Sequence, residues 1–214
     1  MTRELEFWAK GSAFVDEQGK LERWYHGTDY EDGFNIFARY EDSSIGFHFG
    51  TAEAANDRLN QIDCLEDNGN ILAVYCRAQR PLVLDDMYTW DQWDVAQALR
   101  MVGVLTEDEA ELVADSINAE MIYASIEEAG YDSVLYRNEC ENKQGQQLSL
   151  MVWRANLIKG INSASFDKDD PRILSQLPVG ESELAWYTSN ERSIDACREE
   201  LRAYRNAAHT LMPC

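Results

Sequence analysis

The side chains able to do acid–base or nucleophilic work are few. Three histidines occur, His26, His48 and His209. No serine or cysteine sits in a recognisable nucleophile elbow. No His/Cys spacing suits a metal and no glycine-rich loop is built to cradle phosphate, so metal-free chemistry is the expectation. His26 is followed by Gly27, and a glycine beside a polar side chain lets backbone approach a flat ligand closely. His48 lies between Phe47 and Phe49, and strand alternation turns both rings opposite to it. Each histidine is therefore expected to close a strand, with both facing one cleft. A lone histidine at a strand end serves structure more often than catalysis, so the two count as candidates only together.

The elements that must position them are short strands. A strand over residues 21–25 follows the turn 16–19 and ends in His26-Gly27-Thr28. A loop carrying Phe34 and Phe37 leads to a second strand over 45–49. Thr51 then suits an N-cap, with Glu53 in the first turn of a helix running to about residue 62. Residues 71–77 are apolar on both sides, which predicts a covered central strand, and 81–84 an edge continuation of it. Helices are predicted over 90–102, from Thr106 with Glu109 as a capping box, and over 119–128 with Gly130 beyond the end. Strands over 132–136 and 148–153 read as a hairpin with a long polar tip. From about residue 191, Ile194, Cys197, Leu201, Tyr204 and Ala208 form one apolar helical stripe, suited to docking on the chain's own domain. Strands near the candidate site and helices in the middle predict an α+β fold. The expected division is a domain over residues 1–170 and a C-terminal helical extension over 171–214.

Nineteen Lys and Arg against 39 Asp and Glu give a formal charge of −20. Such a surface repels phosphate backbones, which disfavours non-specific nucleic-acid binding. It suits plain solubility, a basic protein partner, or mimicry of nucleic acid. Five cysteines, with no close pair, fit neither a disulfide framework nor a zinc knuckle, and reduced thiols in a cytoplasmic protein are expected. The longest apolar run, residues 71–76, is far short of the roughly 20 residues that a spanning helix needs. No membrane association is expected, and the first residues do not resemble a signal peptide.

Three ordered motifs carry a resemblance. The first runs from Phe7-Trp8 through Gly11-Ser12 and Val15-Asp16 to Tyr25-His26-Gly27-Thr28. The second is Gly46-Phe47-His48-Phe49-Gly50-Thr51, followed by Ala54 or Ala55 and Arg58. The third is Gly130-Tyr131-Asp132 through Tyr136, Asn138, Glu139 and Glu141, then residues 148–153, Asn156, Ile158 and Lys159. Together they resemble the ADP-ribosyltransferase-like domains of phage polyvalent proteins, within the His-Tyr-Glu class of ADP-ribosyltransferases.

The resemblance implies a split, strand-rich ADP-ribosyltransferase fold with a helical insertion and a C-terminal helix, clamping NAD as substrate with no metal. His26 would hydrogen-bond a ribose, Gly27 would meet the nicotinamide carboxamide through its backbone, and Thr28 would fix the same loop. His48 stands where the class places a stacking tyrosine, and Phe47 or Phe49 would share that work. Asn138 joins the NAD-binding set within a Tyr-x-Asn-x-x-Glu run that ends at Glu141. Glu141 is the first choice for the catalytic acid, Glu139 its rival, with Gln147 or Ser149 nearer the position used in the wider class. Arg58, Arg77 and Arg80 are candidates for the pyrophosphate. The implied activity is mono-ADP-ribosyl transfer to a protein or nucleic-acid target, with the acidic surface favouring protein, by a phage or mobile-element product in the cytoplasm of a bacterial or infected host cell. Plain NAD hydrolysis and a degenerate acidic binding protein are the alternatives.

Overall fold

The computed structural model describes residues 3–29, 34–38, 45–61, 69–116, 118–141 and 147–211. The side chains of Ala208 and His209, together with Cys64, Cys214, residue 62 and the hairpin tip 142–146, lie outside the described residues. Helix α1 (Arg3–Ala9) precedes strands β1 (Trp24–Thr28) and β2 (Phe47–Phe49) and helix α2 (Ala52–Gln61). Strands β3 (Asn70–Cys76) and β4 (Pro81–Leu84) follow, then helices α3 (Gln92–Met101), α4 (Glu107–Asp115) and α5 (Glu120–Glu128). The chain closes with β5 (Ser133–Arg137), β6 (Leu148–Val152), β7 (Ile158–Gly160) and the long helix α6 (Glu181–Leu211). The strands form two sheets, ordered β1-β3-β7 and β2-β6-β5-β4. The architecture is α+β, as expected.

Local signals act where they were read. Thr106 and Glu109 close a reciprocal capping box at the start of α4. Gly130 takes φ +93° just past α5, where a side chain would be strained. Three expectations need correction. The first strand starts at Trp24 and runs through His26, Gly27 and Thr28, because β3 supplies pairing partners as far as Asn70; His26 is mid-strand. β4 does not continue β3's sheet. Asp132 accepts the amides of Gln79 (2.9 Å) and Arg80 (3.0 Å), turning the chain so that β4 pairs parallel with β5. Helix α6 begins at Glu181, ten residues before its expected start near residue 191, and Glu183 in its first turn accepts the Gly180 amide at 2.8 Å.

Two cores result. One lies between helices α3 to α5, the inner face of β4-β5-β6, and Ile194, Cys197 and Leu201 of α6. Each fully buried Ile or Leu contributes roughly 1.5–3 kcal/mol. The other lies between the sheets, around Trp24, Phe37, Phe47, Phe49, Val74, Leu150 and Ile173. Helix α6 is also fastened by charge. Arg198 and Arg202 reach Glu128, Arg205 reaches Glu109, and Arg154 bridges Glu127 to Glu191 of α6. No helix among the described residues is long and apolar enough to cross a membrane.

Candidate active site

The two sheets meet along β1 and β2, and the joint is brief. Tyr25 and Gly50 exchange both backbone hydrogen bonds at 2.9 Å. Continuing that ladder would place Gly27 opposite His48. The His26 imidazole intervenes instead: its Nδ1 lies 2.8 Å from the His48 carbonyl oxygen and must donate to it. Alternation sends the amide and carbonyl of Gly27 to the same side as those of Tyr25, away from β3. Among the described residues neither group has a partner there. The donor at Nδ1 also leaves Nε2 of His26 as an acceptor, with no partner among the described residues. Burial lowers the pKa of His26, against the raising effect of its hydrogen bond to His48, and the positive charge of Arg58 lowers it further. The ring is neutral at physiological pH.

His48 is committed elsewhere. Its Nε2 donates to the Ile45 carbonyl at 2.8 Å, and its Nδ1 accepts from the Tyr136 hydroxyl at 2.9 Å. Burial holds its pKa down to about 4. Its ring meets Trp90 at 4.8 Å, whereas that of His26 meets Phe37 at 5.1 Å and Phe49 at 5.5 Å. The two imidazoles thus lie in different aromatic nests, not side by side in one cleft, and are linked through the His48 carbonyl. Phe47 and Phe49 are 7% and 1% exposed in the core, so neither offers an open face for stacking. The half-buried Phe34 packs edge-on against His26 at 6.5 Å. Its part in the site was not legible from spacing.

Gly27 has a packing reason to be glycine. A Cβ there would fall 2.5 Å from the Ala55 carbonyl oxygen, so α2 rests directly on β1. Close approach by a helix, rather than by a ligand, accounts for the missing side chain. Thr28, beside it, is buried and pairs with Asn70. Helix α2 also brings exposed Arg58, whose charge acts on His26, His48 and Cys140. Arg77 follows the opposite end of β3, five residues beyond Leu72, the partner of His26. At about 3.3 Å per residue that is some 16 Å away. Arg80 lies beside Gly130, outside this corner. Of the three arginines, Arg58 alone stands near the split.

The hairpin brings the acids. Asn138, 2% exposed, donates from Nδ2 to Ser149 Oγ at 3.0 Å and to Glu141 Oε2 at 2.5 Å, and accepts the Glu141 amide at 2.8 Å. Ser149 also lies against Gly50, where a Cβ would meet its Oγ at 3.1 Å. A set of contacts therefore runs from Tyr25 through Gly50, Ser149 and Asn138 to Glu141. Gln61 of α2 donates to the Cys140 carbonyl at 3.1 Å, closing the same corner. Gln147 is tied to Thr51 and Glu53. Glu139 points away, exposed, and accepts from the Tyr88 hydroxyl at 3.0 Å. Tyr88 and Trp90 have φ of +58° and +50°, an outlying conformation costing roughly 1–3 kcal/mol each.

A sequence profile described as ADP-ribosyltransferase in polyvalent proteins matches residues 16–168, more than half of the chain. No curated protein and no solved structure matches. The matched span holds β1, β2, the acidic hairpin and the split between them, and ends before α6. The chain belongs to the family of ADP-ribosyltransferases found in polyvalent proteins.

Proposed function

We propose that the chain cleaves NAD at its nicotinamide–ribose bond and transfers ADP-ribose to a macromolecular acceptor, a protein rather than a nucleic acid. The observation that carries this reading is the split itself. Among the described residues the amide and carbonyl of Gly27 and Nε2 of His26 have no partner at the split, and contacts through Gly50, Ser149 and the buried Asn138 link it to Glu141. Gly27 suits the carboxamide, an amide that both donates and accepts. Nε2 of His26 accepts a ribose hydroxyl. Arg58 suits the pyrophosphate, half-buried Phe34 suits one wall for nicotinamide, and Thr28 and Asn138 hold the two sides of the site. His48 acts through its carbonyl, holding His26.

The carbon–nitrogen bond breaks with its electron pair leaving on nicotinamide, and positive charge builds on the ribose. A carboxylate bonded to the 2′-hydroxyl is worth more in that state than in the substrate, so Glu141 lowers the barrier. The acceptor's nucleophile then bonds to the same carbon and releases its proton. The −20 charge supports a protein acceptor over a polyanion, and the resemblance to phage domains supports action in a bacterial cytoplasm. The test incubates the protein with labelled NAD and cell lysate. Nicotinamide release and label transfer are expected, and both should be lost in Glu141→Gln and His26→Ala. Full activity in both variants, or none in the wild type, overturns the reading.

A further inference from the structure

Asp86 stands outside every motif named above, yet it touches both segments that flank the candidate acid. Its Oδ2 accepts the Glu139 amide at 2.7 Å. Its Oδ1 accepts the Tyr88 amide at 3.2 Å and the Trp90 indole Nε1 at 3.1 Å. Among the described residues Tyr88 and Trp90 are the two non-glycine residues with left-handed backbone, a conformation that persists only where surroundings over-determine it. Trp90 in turn packs on His48 at 4.8 Å and on Tyr136 at 4.4 Å, and its carbonyl accepts the Ile45 amide at 2.8 Å. The Tyr88 hydroxyl holds the Glu139 carboxylate. One aspartate thus ties the strained segment to the turn that carries Glu141.

We propose that Asp86 is a positioning residue for Glu141: it latches the outer side of the turn 138–141, as Asn138 anchors the inner side, and so sets the direction in which the acid enters the split. This rests on Glu141 being the acid of the reaction proposed above. Asn138 holds Glu141 by two bonds and Gln61 holds the Cys140 carbonyl, but among the described residues only Asp86 takes the Glu139 amide. The closeness is electrostatic as well as geometric. The Cys140 thiol is pushed up by burial and then by the charges of Asp86 and Glu141, so both carboxylates reach the same turn.

The test compares Asp86→Asn, Asp86→Ala and, as a control that removes only the side-chain tie to Glu139 and keeps the Asp86 bonds, Tyr88→Phe in the full chain. Asparagine keeps the shape and one acceptor but presents N–H to the Glu139 amide. Misplacement of a catalytic group costs up to about a hundredfold, so kcat for nicotinamide release should fall about tenfold to a hundredfold in both Asp86 variants. KM for NAD should stay within about threefold, and Tyr88→Phe should keep kcat within about threefold. Amide hydrogen exchange at Glu139 should accelerate at least about tenfold in Asp86→Ala, with the melting transition still cooperative. Unchanged kcat in both Asp86 variants, or a rise in KM at constant kcat, overturns the proposal. If the wild type releases no nicotinamide, the functional reading fails by itself. The exchange measurement then decides the latch alone: protection at Glu139 unchanged by Asp86→Ala overturns it.

Discussion

Nδ1 of His26 lies 2.8 Å from the carbonyl oxygen of His48, where the amide of a strand neighbour would otherwise sit. That single contact stops the ladder begun by Tyr25 and Gly50 and leaves the backbone of Gly27 without a partner on that side among the described residues. His26→Asn, too short to reach both the carbonyl and a ribose, should lose binding and turnover together. The expected fall in kcat/KM for nicotinamide release is about a hundredfold or more, checked by steady-state kinetics. A variant within about threefold of wild type would count against His26 touching substrate.

Glu141 and Glu139 separate cleanly. Glu141→Gln should lower kcat about a hundredfold to a thousandfold, the scale of a removed transition-state contact. Glu139→Gln should keep NAD cleavage, because its side chain faces Tyr88. Asn138→Ala should fall between, since it frees Glu141 and strands Ser149. The same nicotinamide-release assay ranks all three.

Gly27→Ala tests the seat of α2. The added methyl would meet the Ala55 carbonyl oxygen at 2.5 Å, a backbone atom that cannot turn aside. Overpacking of this kind costs typically about 1–3 kcal/mol, measured by urea denaturation. Loss of activity without loss of stability would contradict the packing account and point to the backbone slot alone.

His48 makes stability depend on pH in a defined window. Its folded pKa of about 4 lies below the ordinary histidine value of 6.5. The unfolded chain therefore binds the proton first, and stability present above pH 6.5 is lost as pH falls toward 4. At the lower end the loss approaches about 3 kcal/mol. His26 shifts in the same direction. His48→Gln should flatten the slope of denaturation free energy between these limits; an unchanged slope would exclude His48 as its source.

The ion cluster under α6 should be costly to break from one side. Arg154, 16% exposed, faces Glu127 and Glu191, so Arg154→Met leaves Glu191 poorly solvated and without its cation, and Glu127 with only Arg198 at 3.5 Å and the Trp153 indole. A loss of about 3–5 kcal/mol is expected in chemical denaturation. If the variant is as stable as wild type, the cluster contributes nothing net.

Much of this was written locally. The Thr106–Glu109 box, the stop at Gly130 and the hairpin pair are short-range patterns, and each element stands within a few residues of its expected place, whereas the extent of β1 is set by its pairing with β3. What spacing missed depends on distant partners. The sheet that takes β4 is decided by Asp132, some fifty residues away. The start of α6 is hidden in a polar stretch, although Glu183 there also accepts the Asn35 amide and so holds the loop bearing Phe34 and Phe37. Gly27 owes its type to a helix thirty residues on. The resemblance puts His48 in the place of a stacking tyrosine, but Tyr136 and Ile45 take both its ring nitrogens.

The seam beneath α6 has a consequence for how the molecule meets others. Arg198, Arg202 and Arg205 are engaged with acids of α4 and α5 and are not spread over the surface. Cations are scarce to begin with, and several of them are spent on joining one helix to its neighbours. Elsewhere the carboxylates are left with little relief, and the reach of their combined field grows from about 10 Å at roughly 0.1 M salt to about 30 Å at roughly 0.01 M. Capture by a cationic protein would then be fast in dilute buffer and slow steeply as ionic strength rises, whatever chemistry follows the encounter.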